Sequence, residues 1–509
     1  MLNFLSICAL LILNFQSAYS QGENLFNDSK LHEIHFNNMD TTVIGGKKVY
    51  QMVDMIFDGI AIDSIGIKEK GNISRNVPNL KVPLKIKTNK YVGGKKYDGI
   101  KEFTLHNSYQ DPSMMREKIT YDICRQMGLF ALRTAFAKVY INGVYWGLYT
   151  IVEGKDEMFK QVFDNRDADA VESLDFGDMC FISDSPNVYN YDVSGRPTYQ
   201  LENGNAQTAF PRFAAMISKA NKTPDAQYMD TVSTYLNLEH FFIYQAINVY
   251  LMNMDSYIAF LGNQIYMYDD VKKIFQIIPW DFNASLALWN TNNFSPDSYP
   301  VIPNAISTGC IASRMNNVRE LKSFYLDAMC LLKDICEPEK MRGVIDGWKD
   351  QIKQAVYDDN RMDFTNQEFD QALETGYIQN VVERVPALKT FFTERYNVIS
   401  RGLSDLGYTC TTPTSVKEGA VPTFYSLKQN YPNPFNPSTG IDYNISTGGL
   451  VSLKIYDALG NEVAELVNEV KLAGEHSASF QAHSFPAGVY FYRLMVNDFV
   501  ATKKMVLIK

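Results

Sequence analysis

The sequence is poor in the patterns that would settle its chemistry at once. It has six histidines in 509 residues and no HExxH, so the familiar ligand set of a zinc hydrolase is missing. No Gly-x-Ser-x-Gly occurs, which removes the nucleophile elbow of an α/β-hydrolase. Cationic residues do not predominate either: 48 Lys and Arg against 57 Asp and Glu leave a net charge of −9. A general nucleic-acid binder needs the opposite balance to offset phosphate repulsion. No segment beyond the first twenty residues is apolar enough to cross a bilayer. Internal repeats of solenoid length are missing as well.

What is present reads as a multidomain globular chain. At this length two to four domains are expected, and 46% hydrophobic residues are enough to build them. Residues 1–20 have the form of a secretory signal, apolar over Ile7–Phe15 and ending in Ala18-Tyr19-Ser20; a short membrane anchor is the alternative, but the run is well under a span. The remaining chain is read as exported and soluble. Of seven cysteines, Cys8 would leave with the signal. The even remainder permits disulfides in an oxidising compartment. Cys330 and Cys336 are close enough in sequence for a local bridge, and Cys124 falls in a helical stretch as a buried thiol.

Residues 31–153 carry β-type composition, with Asn142-Gly143 as a type I′ hairpin turn. One helix interrupts them, capped by Asp111, opened by Pro112 and ended by Gly128, with Met115, Ile119, Ile123 and Met127 as its buried stripe. Residues 155–230 are polar, acidic and turn-rich, an elaborated loop in preference to a substrate-facing lid. Helical patterns return at 236–252 and 317–403. The sum is an α+β domain with two lobes over residues 21–405. A Thr/Pro/Ser/Gly-rich linker covers 406–423, and short alternating strands over 424–509 predict a small all-β sandwich of immunoglobulin-like type.

The candidate chemistry centres on two aspartates, each just past an apolar run: Asp255 in LMNMDSY and Asp281 in QIIPWDFNASL, 26 residues apart. A readable hairpin, Gln264–Tyr268 and Lys273–Pro279, separates them. A loop carboxylate, a strand pair and a second carboxylate is the order in which protein kinases place their catalytic acid and metal-binding aspartate, although neither HRD nor DFG is present. Asn263, eight residues past Asp255, and Asn283 offer amide oxygens to a hard cation. Between Lys68 and Lys101 ten cations face only Glu69 and Asp98. In KVPLKIK, Val82, Leu84 and Ile86 alternate inward, which puts Lys81, Lys85 and Lys87 on the other face; that face either meets phosphates or is simply solvated. Gly71 and Ser74 form a turn that could cover a phosphate. Arg116 and Glu117, early in the helix, could pair with a strand lysine or stay solvated.

These segments resemble the CotH family of spore-coat-type atypical kinases. The matching pieces are GIKEKGNISR, KVPLKIK, KYDGIKEFTLHNSYQDPSMMREKITYDICRQMG, RTAFAKVYINGVYWGLYTIVEGKDEMF, LMNMDSY, GNQIYMY and IIPWDFNASLA, in that order over residues 60–285. The resemblance implies a two-lobed kinase-like fold, ATP with Mg²⁺ or Mn²⁺, and transfer to Ser/Thr of secreted or surface proteins. It implies Asp255 as the catalytic-loop acid and Asp281 as a catalytic metal ligand, with Asn263 and Asn283 beside the metal. Lys85 or Lys87, Arg116, Glu117, Glu153 and Trp280 would surround the nucleotide.

The tail resembles a second family. FYSLKQNYPNPFNPST at 424–439, YDALGNEV at 456–463 and GVYFYRL…KKMVLIK at the end are similar to type IX secretion C-terminal sorting domains. This implies a Gram-negative host, passage through the periplasm and across the outer membrane, and recognition by the type IX machinery; the net charge argues against a nucleic-acid partner, and the lack of a long apolar run against a transmembrane segment. Two other function classes stay open at this point: a non-catalytic scaffold of the same fold, and a phosphotransferase acting on a glycan or small molecule.

Overall fold

The computed structural model describes residues 21–508 apart from 47, 72–73, 75–78, 164–166, 176, 191–194, 196–197, 258–260, 289–294, 380–382, 411–425, 446–448, 459, 472–473, 483–484 and 497–498. The signal segment 1–20 and most of the linker 406–423 therefore lie outside the described residues. Two compact units divide the chain, one of them Gln21–Thr409 and the other containing Cys410–Lys509.

The larger unit begins with seven strands: β1 (His32–Asn37), β2 (Gln51–Phe57), β3 (Ile60–Glu69), β4 (Leu84–Lys87), β5 (Glu102–His106), β6 (Thr134–Ile141) and β7 (Val144–Glu153). They close into a barrel in the order β1-β2-β3-β4-β5-β7-β6, sealed by parallel pairing of β1 with β6. Alternation fills its interior with Ile34, Phe36, Leu84, Ile86, Phe103 and Leu105. Asn142 and Gly143 turn β6 into β7 with φ of 49° and 80°, as the type I′ expectation requires. Lys81 departs from its expected shared face with Lys85 and Lys87. It precedes the strand, separated from it by Pro83, and is buried against Asp359 at 2.6 Å.

Between β5 and β6 lies α1 (Arg116–Gln126). It starts five residues after the expected cap, because Asp111 folds its carboxylate onto the Ser113 and Arg116 amides and Met114 takes φ of 61°. The helix ends as read, with Gly128 at φ 80° and the Leu129 amide closing onto Cys124 O at 3.0 Å.

The stretch read as an elaborated loop builds secondary structure. It supplies α2 (Lys155–Phe163), β8 (Ala170–Asp175), β9 (Tyr199–Asn203) and α3 (Ala206–Lys222). After α4 (Leu238–Tyr250), the hairpin β10 (Leu261–Asp269) and β11 (Ile274–Ile278) joins β8 and β9 in one sheet, order β11-β10-β8-β9. β8 is short and Glu172 breaks its apolar alternation, so the turn residues around it dominated the sequence signal. The longer helices α5 (Arg319–Ile335), α6 (Pro338–Tyr357), α7 (Asn366–Glu374) and α8 (Leu388–Asp405) follow, with a small hairpin, β12 (Tyr377–Gln379) and β13 (Glu383–Val385), before the last.

Cysteine pairing corrects one expectation. Cys336 is a free buried thiol, so it forms no bridge with Cys330; Cys330 and Cys410 are each disulfide-bonded. Cys180 and Cys310 form a disulfide across 130 positions, Cα atoms 5.1 Å apart. Cys124 is buried and free, as expected.

The second unit is all β. β14 (Ser426–Leu427), β15 (Ser438–Ile445), β16 (Gly449–Tyr456), β17 (Glu462–Lys471), β18 (Gly474–Gln481), β19 (Gly488–Val496) and β20 (Phe499–Leu507) make two antiparallel sheets, β14-β15-β18 and β17-β16-β19-β20. One apolar cluster, including Ile441, Tyr443, Leu453, Tyr492 and Leu494, draws on both sheets. Among the described residues no helix is long and apolar enough to cross a membrane.

Candidate active site

The site forms where the end of β3, the end of β5, the start of α1 and the loop after β11 converge. Lys70 follows the last residue of β3, its amide held by Pro83 O at 3.0 Å. Its ammonium lies 2.7 Å from Nε2 of His106, the last residue of β5. The other imidazole nitrogen, Nδ1, is 2.8 and 2.9 Å from the two carboxylate oxygens of Glu117. Glu117 sits in the first turn of α1, where a negative side chain complements the helix dipole.

Asp281 completes the group electrostatically. Burial and the Glu117 carboxylate push its pKa up to about 6, while the Lys70 ammonium acts against that rise. Burial pulls Lys70 down to about 8, opposed by the charges of Glu117 and Asp281. Both shifts report opposed charges sharing a poorly solvated space. Asp281 adopts φ of 55°, as do Leu286 and Ala287 at 57° just beyond it. Left-handed backbone at such residues costs of order 1 kcal/mol each and is concentrated at functional sites.

Aromatic packing ties the two aspartates together. Phe282 meets Tyr121 of α1 with ring centroids 5.0 Å apart and Tyr244 of α4 at 6.3 Å. Burial first, and the charge of Asp255 among further causes, pushes the Tyr244 phenol up. Asp255 is itself 5% exposed, in the loop after α4. That loop is fixed by Asn253 Nδ2 donating to Asn248 Oδ1 at 3.1 Å and by the Leu286 amide donating to Leu251 O at 2.7 Å. The side-chain oxygens of Asn253 and Asn283 are buried without a hydrogen-bond partner among the described residues. Trp280 lies between two cations, its ring centroid 6.0 Å from the Lys70 ammonium and 5.2 Å from that of Lys155; Lys155 also pairs with Glu202 of β9.

Other residues named from the sequence lie in different surroundings. Lys85 and Lys87 both turn to Glu102, at 2.5 and 3.6 Å. Arg116 is buried, paired with Asp111 at 2.7 Å and donating to Pro386 O at 3.0 Å. Glu153 is buried in an ion pair with Arg133 at 2.6 Å. Asn263 falls in β10, and its side chain is outside the described residues. Of the turn at 70–75, only Lys70, Gly71 and Ser74 are described. Among the described residues no three His, Cys, Asp or Glu gather as a metal cluster.

Lys70 and His106 were not singled out from the sequence. The signal for Lys70 was its place at a strand end before Gly71. For His106 it was the β5 alternation, which sends Thr104 and His106 to the face opposite Phe103 and Leu105.

Comparison with known proteins gives two family matches. A family described as CotH kinase protein matches residues 67–399, and a secretion system C-terminal sorting domain matches residues 429–509. The chain is 27% identical over 194 residues to the inner spore coat protein H of Bacillus subtilis; the alignment covers 38% of this chain and 51% of that relative, about half its length. Among solved structures, a twitchin kinase region from C. elegans aligns with 84% of this chain and 70% of its own at 9% identity, with a TM-score of 0.16. With a TM-score that low, the likeness carries no argument about the fold.

Proposed function

Because the chain belongs to the CotH kinase protein family, we propose that it is an exported kinase that transfers the γ-phosphoryl group of ATP to Ser or Thr hydroxyls of secreted or surface proteins. The observation that carries this reading is the Lys70–His106–Glu117 chain set beside Asp281. A positioned lysine, a helix glutamate and a loop aspartate are the groups that phosphoryl transfer requires, since its catalysis is mostly positioning and charge stabilisation. The barrel and the helical half are read as the two lobes of an atypical kinase, and the tail as an immunoglobulin-like sandwich addressed to the type IX machinery.

In this reading Lys70 takes the phosphate-facing role considered for Lys85 or Lys87, whose ammonium groups are turned to Glu102. Asp255 orients the acceptor hydroxyl and takes its proton. Trp280 offers a ring face beside the cations, and Arg116 and Glu153 hold α1 and the barrel edge in place. The residues fit a hard divalent cation, Mg²⁺ or Mn²⁺: Asp281 would supply a carboxylate, and Asn283 a buried amide oxygen with no partner among the described residues. When bound, such a cation would supply positive charge that neutralises the phosphate groups. Asp281 is suited to hold it because a nearby positive charge relieves its repulsion with Glu117.

The test is a transfer assay with the exported full chain, labelled ATP and a panel of proteins, glycans and nucleotides. Label on Ser or Thr of protein supports the reading. Label confined to glycan or small molecule reassigns the acceptor, and no ATP-dependent labelling with any acceptor contradicts it.

A further inference from the structure

We propose that His106 is a positioning residue that joins Lys70 to Glu117 as a neutral bridge, holding the phosphate-binding ammonium without neutralising it. The inference rests on the kinase reading and assigns a role in it to a residue on β5. The geometry carries it. Both Glu117 oxygens lie within 2.9 Å of His106 Nδ1, and the Lys70 ammonium lies 2.7 Å from Nε2. An ammonium only donates, so Nε2 must accept; a carboxylate only accepts, so Nδ1 must carry the proton. With Lys70 as the ammonium and Glu117 as the carboxylate, the arrangement is satisfied by one species, the neutral Nδ1–H tautomer. Thr104 Oγ1, 3.2 Å from Nε2, adds a hydroxyl on the same side of the ring.

The consequence for binding follows from charge. A carboxylate in direct contact would cancel most of the field of Lys70 before a phosphate arrived. An imidazole fixes the direction of the ammonium with one hydrogen bond and leaves its full charge and two remaining donors for phosphate oxygens. Glu117 orients the imidazole through its Nδ1–H, as a carboxylate does for a catalytic or metal-binding histidine. Burial, which weakens the charged form of Lys70, is tolerated because Glu117 and Asp281 lie nearby.

Two readouts on the full chain test this. In histidine-labelled protein, the ¹⁵N resonances assigned to His106 by their loss in His106→Gln should show a protonated Nδ1 and an unprotonated Nε2 at neutral pH. Lys70→Met should shift the Nε2 signal. An Nε2–H tautomer, an imidazolium, or no response to Lys70→Met overturns the inference whether or not the protein is a kinase. In the transfer assay, His106→Gln keeps one acceptor and one donor and should retain kcat/KM for ATP within about fivefold, whereas His106→Leu should lose it by about a hundredfold, at equal thermal stability. Equal activity of the Leu and Gln variants overturns the inference while leaving the kinase reading intact. A wild type without transfer contradicts the kinase reading, and the NMR readout still decides the bridge.

Discussion

At the residue scale, the site sets charge against burial. Asp281 has a folded pKa of about 6, above the 3.8 of an ordinary aspartate. Between those values the folded state binds the proton more tightly than the unfolded chain, so stability is lost as pH rises through that window. Lys70 behaves in the opposite direction: with a folded pKa of about 8 against 10.5, its contribution grows as pH rises between them. Near neutrality both groups are charged and both cost stability. Asp281→Asn should therefore stabilise the metal-free protein at pH 7 by about 1–2 kcal/mol while removing activity, and it should abolish the loss of stability between pH 4 and 6. Thermal denaturation across that range checks the sign; a variant less stable than wild type at pH 7 would refute it. The importance of Asp281 was legible from its place after an apolar strand. Its charge environment was not, because Glu117 and Lys70 reach it only through tertiary contact.

At the scale of elements, the barrel is fastened to the helical half by a buried ion pair. Lys81 and Asp359 are 2.6 Å apart, and Asp359 also accepts the Leu148 and Arg361 amides, each at 3.0 Å. Gly147 makes room for that carboxylate: it has φ of 131°, and a Cβ there would collide with it. Lys81→Met should cost about 3 kcal/mol in denaturant unfolding, because it leaves Asp359 buried with a partial set of partners. An unchanged midpoint would show that the amides alone satisfy the carboxylate. Alternation made the barrel strands and the Asn142-Gly143 hairpin readable, and the four-residue spacing did the same for α1. The start of α1 was not readable, since Pro112 fits a helix opening equally well whether the chain continues as helix or, as here, is held by Asp111 in a turn. Nor was β8, a strand whose status depends on pairing with β10 and β9 and not on its own pattern.

At the scale of the whole molecule, a kinase-family unit and a sorting tail share one chain, consistent with chemistry carried out beyond the cytoplasm. The Cys180–Cys310 disulfide fits an oxidising compartment and closes a loop of 130 positions. Loop-closure entropy gives it about 5 kcal/mol at most. Changing both cysteines to Ser should lower the unfolding midpoint markedly, and a thermal scan with and without reductant checks this; no difference would mean that the bond adds nothing to the folded state. This pairing was hidden in the sequence, where the shorter Cys330–Cys336 spacing drew attention and only the fold brings positions 180 and 310 together. The central claim is that Asp281, set beside Lys70, His106 and Glu117, makes the exported chain a protein kinase. It is tested most directly by incubating wild type and Asp281→Ala with labelled ATP, divalent cation and candidate exported proteins, then mapping the phosphosites. The account predicts label on Ser or Thr with wild type and a loss of at least about a hundredfold with Asp281→Ala; equal labelling by the two proteins would contradict it.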